Sequence, residues 1–211
     1  MSATNPSICV VLAVTSNTAF LELMGIPNLI RTYTSLRTYL PLQTVVVAAS
    51  PETAPGVHRL LDEMTEEYEL IICQLLNPNS FAKALNPLLE NSDSVLIHDA
   101  SRPLTDKEEF ERVLVAFKDD IDAVRPAMPF TETLKILGTD SVIKETLDRA
   151  TVLRIATPEL IRVSAVDFEG NDRGWFLPLK MGVRVMHTEG SPDGLRINSS
   201  EDRDLMEFFK P

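Results

Sequence analysis

An α/β fold with a mainly parallel sheet is predicted from three features of this 211-residue chain. Short unbroken apolar runs, Ile8–Val14, Thr44–Ala49 and Val95–Ile97, have the length and β-branched content of strands buried on both faces. Helical patterns separate the runs, so strand and helix alternate as βαβ units with right-handed crossovers. The stretch Ser94–Pro103 ends its strand abruptly at His98-Asp99 and turns through Ala100-Ser101-Arg102-Pro103. That places an imidazole, a carboxylate and a guanidinium at the carboxyl end of a strand, where open α/β sheets collect ligands.

Taken in order, strand one is Ile8–Val14. A helix starts near Pro27 and runs to Tyr39, with Leu29, Ile30, Tyr33 and Leu36 on one face. Thr44–Ala49 is the second strand, Val57–Met64 fits a helix, and Glu69–Cys73 is the third strand. The acidic run from Asp62 to Glu69 is a solvated helix end. Asn77–Ser80 forms a loop and cap before a helix over Phe81–Leu89, and Ser94–Asp99 is strand four. Thr105-Asp-Lys-Glu108 reads as a capping box for a helix through Phe117. Ala123–Met128 continues as a fifth strand, with Pro126 placing it at an edge or near its end.

The rhythm changes after Pro129. Thr131–Ile136 and Ser141–Thr146 flank Leu137-Gly-Thr-Asp140, a β-hairpin signal. Such an arm is too small for its own core, so its apolar face needs a partner, and a second subunit is the expected one. At Thr157-Pro158 the pattern predicts a helix, with threonine capping and proline at its first position. Gly182–Met186 is a further strand, and Ser199–Asp202 caps a last helix ending at Phe208-Phe209. No repeat or linker interrupts the chain, so residues 1–211 are expected to form one domain with the β-arm 129–149 inserted.

The totals exclude several functions. With 20 basic and 31 acidic residues the formal charge is −11, which offers no broad attraction to nucleic acid or to an anionic membrane surface. There is no apolar run long enough for a membrane span, and no basic stretch precedes the first apolar run as in a secretory leader. Cys9 and Cys73 lack a CxxC spacing and read as buried free thiols, in keeping with a reducing cytoplasm. His58, His98 and His187 are scattered, which argues against a zinc site. A small anionic ligand remains open, provided a local cationic pocket exists. In the Asp99–Arg102 turn, a phosphorylated ligand and a divalent cation suit the side chains; the plainer reading has Asp99 cap the turn and Arg102 pair with it.

Together, His98-Asp-Ala-Ser-Arg-Pro103, the Thr131-to-Arg149 arm, Ala156-Thr-Pro-Glu159 and Leu195-Arg-Ile-Asn-Ser-Ser-Glu-Asp202 resemble the 2-C-methyl-D-erythritol 4-phosphate cytidylyltransferase family, from about Ile8 to Phe209. The resemblance implies a Rossmann-like nucleotidyltransferase fold with helices on both faces, and a homodimer formed through the β-arm. It implies in-line attack of a methylerythritol phosphate oxygen on the α-phosphorus of CTP, with Mg²⁺ present and pyrophosphate leaving. Residue by residue, Asp99 matches the carboxylate near the nucleotide and its metal, and Arg102 matches a contact to the substrate phosphate. Thr133 and Arg149 match phosphate contacts from the arm, reaching across a two-fold axis to the other protomer's Asp99 and Arg102. Arg196 stands where the family has a lysine and matches a further contact to the substrate phosphate, keeping the charge in a planar fork of different geometry. Ala13, Asn79 and Ser80 fall on the nucleotide side.

The chain departs from the family after strand one. A glycine-rich loop with an arginine and a lysine is expected there, to wrap the triphosphate. Here Ala13-Val-Thr-Ser-Asn-Thr-Ala-Phe20 has neither glycine nor cation, and Leu75–Ser80 replaces a second glycine-rich turn. Two readings stand side by side: a working cytidylyltransferase whose cations come from elsewhere, and an inactive paralogue that dimerises and binds a phosphorylated metabolite or an active relative. A third is transfer of another nucleotide or to another acceptor. Among smaller features, Lys135 and Lys144 read as solvent-facing arm charges. Arg154 either lines the acceptor pocket or pairs at the surface, Trp175-Phe176-Leu177 reads as packing, and His98 as a bond to the turn. No role is assigned to Asn171-Asp-Arg173.

Overall fold

The computed structural model describes residues 7–41, 43–64, 68–172 and 174–209. The first half alternates β1 (Ile8–Val14), a small hairpin of β2 (Glu22–Leu23) and β3 (Ile26–Pro27), then α1 (Asn28–Tyr39) and β4 (Val45–Ala49). It continues with α2 (Ala54–Leu61), β5 (Glu69–Ile72), α3 (Pro78–Leu89) and β6 (Ser94–Asp99). The second half holds α4 (Lys107–Ala116), β7 (Ala123–Pro129), the arm strands β8 (Leu134–Leu137) and β9 (Ile143–Leu147), and β10 (Leu153–Ile155). It ends with β11 (Glu159–Arg162), β12 (Val185–Glu189) and α5 (Ser200–Phe209).

The main sheet runs β10-β7-β11-β6-β1-β4-β5, and β12 also pairs with β7. Strands β6, β1, β4 and β5 are parallel neighbours, as the apolar runs require. Alternation along β1 explains the two-sided core. Val10, Leu12 and Val14 face Tyr33 and Leu36 of α1, Val57 of α2 and Phe110 of α4. Val11 and Ala13 face Phe81 and Leu85 of α3 together with Leu177. Both faces are thereby covered by helices, and the carboxyl ends of β1, β4 and β6 open on one side. Asn77 caps α3 by accepting the Ser80 N–H at 3.1 Å, a contact worth about 1 kcal/mol.

Several expectations need correction. Residues after Thr157-Pro158 form β11 rather than a helix, because Leu160 and Ile161 are worth more as antiparallel rungs buried between β6 and β7 than as a solvated first turn. Pro126 is not in an edge strand. Its carbonyl accepts from Ala156 N, so its missing N–H faces the same side, in the gap where β11, paired at Ala123–Val124, gives way to β10, paired from Ala127. The cap of α4 is Asp106, which accepts the Glu109 N–H at 2.7 Å, and Thr105 instead donates to the Arg102 carbonyl. Helix α2 begins at Ala54, three residues earlier than its apolar spacing suggests. In the acidic run, Asp62 is bonded by Tyr68 and lies 3.4 Å from His58; residues 65–67 lie outside the described residues, as does Arg173.

Among the described residues no helix is long and apolar enough to cross a membrane, and no cluster of three His, Cys, Asp or Glu gathers. Both cysteines are free, Cys73 buried and Cys9 half-buried, and burial pushes each thiol up to about 11.

Candidate active site

The site is built around Asp99, the last residue of β6, buried beside the end of β1. Its backbone N–H donates to Thr157 Oγ1 at 3.1 Å, which fastens the strand end to the segment leading into β11. Its Oδ1 accepts the Ser101 N–H at 2.9 Å, so the turn-capping reading of Asp99 holds in part. Thr15, the first polar residue after β1, donates to the same Oδ1 at 3.3 Å. The ion-pair partner of Asp99 is Arg196, not Arg102: Nε lies 2.8 Å from Oδ2. The same guanidinium donates through Nη2 to Thr15 Oγ1 at 3.0 Å and through Nη1 to Asn198 Oδ1. One arginine therefore spans the ends of β1 and β6.

Arg102 is aimed by carbonyls. Its Nη1 donates to Gly194 O at 2.6 Å and its Nη2 to Ile155 O at 3.3 Å. Burial, above all, pulls its pKa below the ordinary guanidinium value, yet it stays charged because that value is so high. The turn after β1 is a single 3-10 turn over Asn17–Phe20, and its hydroxyls knit it to the turn after β6. Thr18 Oγ1 lies 3.0 Å from Ser101 Oγ and 2.6 Å from Ser16 Oγ, and Asn28 Nδ2 donates to Thr18 O at 2.9 Å. No glycine cradle forms here. Phe20 from this turn lies against Gly56 of α2, so close that a Cβ there would meet the ring at 2.5 Å.

His98 belongs to the core. It is buried against Phe110 and lies 2.9 Å from Thr157 Oγ1, and burial pushes it down to about 4, so it is neutral at pH 7. Ala13 is wholly buried within β1, and its carbonyl accepts from Ala100 N. Asn79 sits in the first turn of α3 and spends its amide on the carbonyls of Phe168 and Gly170 at 3.0 and 3.2 Å. Ser80 Oγ accepts from Gln74 N at 3.3 Å. Thr133 lies exposed just ahead of β8, and Arg149, exposed at the arm's base, donates to Thr131 O. The structure thus gathers Asp99, Arg102 and Arg196 within the chain and leaves Thr133 and Arg149 on the arm. Lys135 bonds Thr146 across the arm at 2.6 Å.

Beside Arg196 lies a cleft of about 500 Å³ lined by Leu104, Arg154, Arg196, Asn198 and Asp202, which places Arg154 on its wall. Thr15 and Thr157, which the motifs do not single out, complete the hydrogen bonding of Asp99. Thr157 lies within Ala156-Thr-Pro-Glu159, and Thr15 is marked in the sequence only as the first polar residue after an apolar run. A divalent cation of the Mg²⁺ type, held mostly by phosphates and water, asks a protein for one or two carboxylates. Asp99 meets that demand through Oδ2, which is bonded only by Arg196 Nε and keeps a second lone pair, whereas Oδ1 already accepts from Ser101 N–H and Thr15 Oγ1.

An open, mainly parallel sheet with a carboxylate and two arginines converging at the carboxyl ends of its central strands defines a nucleotide-handling α/β protein. Comparison narrows this. The family model for 2-C-methyl-D-erythritol 4-phosphate cytidylyltransferase matches residues 11–209, and the chain belongs to that family. A relative of that name from Frankia casuarinae is 33% identical over 144 residues, covering 68% of this chain and 53% of the relative. One from Acidobacterium capsulatum is 26% identical over 206 residues, covering 90% and 85%. The fold matches that of 4-diphosphocytidyl-2C-methyl-D-erythritol synthase from Anaerococcus prevotii with a TM-score of 0.74 at 20% identity, over 97% of this chain and 98% of the other. These relatives carry the enzyme's name and lend no support to the inactive-paralogue reading.

Proposed function

We propose that this chain transfers the cytidylyl group of CTP to the phosphate of 2-C-methyl-D-erythritol 4-phosphate and releases pyrophosphate. The observation that carries the reading is the convergence of Asp99, Arg102 and Arg196 at the ends of β1 and β6, in a chain of this family. In-line transfer between phosphates asks chiefly for positioning and compensation of charge, so the lack of a general base is no obstacle. Arg102 and Arg196 provide that compensation, and their carbonyl and carboxylate partners hold them in place before substrate arrives.

The charge that the turn after β1 lacks is supplied by Arg196, whose guanidinium reaches Thr15 at the end of that strand. Asp99 is the residue to hold a divalent ion, Mg²⁺ in this proposal. Such an ion, when bound, shields the triphosphate from the incoming phosphate. Ser80 and the backbone near Ala13 border the nucleotide side; the amide of Asn79 would have to leave its carbonyl partners to join them. The chain acts as a homodimer through the arm, whose Leu137, Val142 and Ile143 are about 60% exposed and form an apolar face in want of cover. In that dimer Thr133 and Arg149 complete the partner's site. The free thiols suit the cytoplasm. Incubation with CTP, methylerythritol phosphate and Mg²⁺ should yield pyrophosphate and the cytidylyl product in equal amounts; no product above blank refutes the proposal.

A further inference from the structure

The loop 190–197 carries three contacts of the site. Gly194 O takes Arg102, Arg196 takes Asp99, and Ile197 N donates to Ser101 O at 2.8 Å. A loop with this task needs an anchor, and one buried side chain outside the transferase reading touches it twice. Glu109, in the first turn of α4, is wholly buried and accepts the Ser191 N–H through Oε2. Gly194 packs on the same carboxylate, where a Cβ would lie 3.2 Å from Oε1 and 3.3 Å from Oε2. Arg112, one turn along α4, reinforces the hold: its Nε donates to Glu189 O at 2.9 Å, and its Nη2 is 3.9 Å from Glu109 Oε2.

We propose that Glu109 is a positioning residue for the acceptor side of the reaction: by gripping Ser191 and seating Gly194, it fixes the carbonyl that aims Arg102 and the reach of Arg196 to Asp99. This rests on the transferase reading above. A carboxylate accepting an N–H is a stronger grip than a neutral acceptor, so the anchor weakens when the acid takes a proton. Facing it are Arg112 and Asp106 of its own helix and Arg102 of the turn after β6; burial, the largest influence, pushes its pKa up to about 7. The grip is therefore firm at pH 8 and loosened at pH 6.

Two readouts on the full chain test this, one needing no substrate. Amide hydrogen exchange over residues 190–197, corrected for intrinsic rates, should be at least ten-fold faster in Glu109→Ala while β1 and β6 stay protected. In the wild type it should rise several-fold from pH 8 to pH 6. Glu109→Gln keeps an acceptor for Ser191 N–H and should exchange at a rate independent of pH. In steady state, Glu109→Ala should raise KM for methylerythritol phosphate ten-fold or more with kcat changed less than three-fold, and Glu109→Asp should recover part of the loss. Unchanged loop exchange, exchange raised equally across the whole sheet, or an unchanged KM beside a loosened loop each overturn the proposal. If Glu109→Ala does not fold, the pH profiles of Glu109→Gln and the wild type decide. A wild type without turnover sinks the transferase reading alone, and the exchange measurements still report whether Glu109 holds the loop.

Discussion

Arg125 on β7 and Glu159 at the start of β11 form a buried ion pair whose removal gives the most decisive stability test of the fold. The carboxylate is fully buried and the guanidinium is 10% exposed. Arg125 Nη1 donates to Gly174 O at 2.6 Å, its guanidinium lies 4.6 Å from the Trp175 ring centroid, and Glu159 Oε2 accepts from Phe176 N at 3.0 Å. The Nε of Arg125 has no hydrogen-bond partner among the described residues, so the desolvation of the pair is not fully recovered. Burial accordingly outweighs the attraction of Arg125 and pushes Glu159 up to about 7.

Glu159→Leu alone strands a buried arginine, which typically costs about 3–5 kcal/mol. For a chain of this size each kcal/mol lowers Tm by about 2–4 °C, so the expected fall is about 6–20 °C. Replacing both partners, Arg125→Met with Glu159→Leu, should be neutral or stabilising by up to about 4 kcal/mol. The pH dependence has a definite sign. A carboxyl raised from 4.5 to about 7 on folding contributes stability that is complete below pH 4.5 and is lost as the pH climbs through about 7. The double variant should lack that component. Urea unfolding of the four proteins of the cycle between pH 5 and 8 measures both effects. A single variant losing less than about 1 kcal/mol, or a coupling below about 0.5 kcal/mol, refutes the argument, because contacting charges in a dry site must couple.

Arg196→Met removes a charge-assisted bond from Asp99, worth about 1.5–3 kcal/mol, and should lower kcat/KM about 10–100-fold; Arg196→Lys should fall between, having one point charge for a fork with three partners. Pyrophosphate release at saturating and limiting CTP checks this. His98, pushed down to about 4 from 6.5, contributes stability that is complete above pH 6.5 and drains as the pH falls toward 4; the urea midpoint of the wild type minus that of His98→Gln should shrink over that window. Static light scattering should give twice the chain mass, and Leu137→Asp with Ile143→Asp should halve it with circular dichroism unchanged. A monomeric wild type at micromolar concentration refutes the arm-mediated dimer.

The sequence is most legible where burial acts on both faces of a strand. The runs at β1, β4 and β6 have no competing pattern, and the abrupt change at His98-Asp99 marks the crevice. It misleads at Thr157–Arg162, where a good local helix start is overridden by pairing with strands far away in the chain. The α4 cap slips by one residue because Asp106 and Thr105 both suit the position, and only the fold shows Glu109 turned inward rather than back to its own cap. Site partnerships resist reading for the same reason. Asp99 and Arg196 are 97 residues apart, and nothing local distinguishes Arg196 from Arg102 as the partner of that carboxylate. Arg125 and Glu159 likewise declare themselves only once β7 and β11 lie side by side.

The turn after β1 shows how the site differs from a phosphate cradle. A cradle exposes backbone N–H groups on glycines so that they meet phosphate oxygens. Here Thr18 bonds Ser16 and Ser101, and Thr15 is shared between Asp99 and Arg196, so the turn is tied to the protein rather than held ready for a ligand. In the proposed reaction the positive charge comes instead from Arg102 and Arg196 on the other wall of the crevice, in a chain whose formal charge of −11 repels polyphosphates elsewhere. Both arginines take their geometry from loop 190–197, through the Gly194 carbonyl and through the position of Arg196 itself. Both arginines thereby depend on one loop, and a disturbance of its anchor at Glu109 should be felt first by the acceptor, whose phosphate Arg102 is proposed to contact.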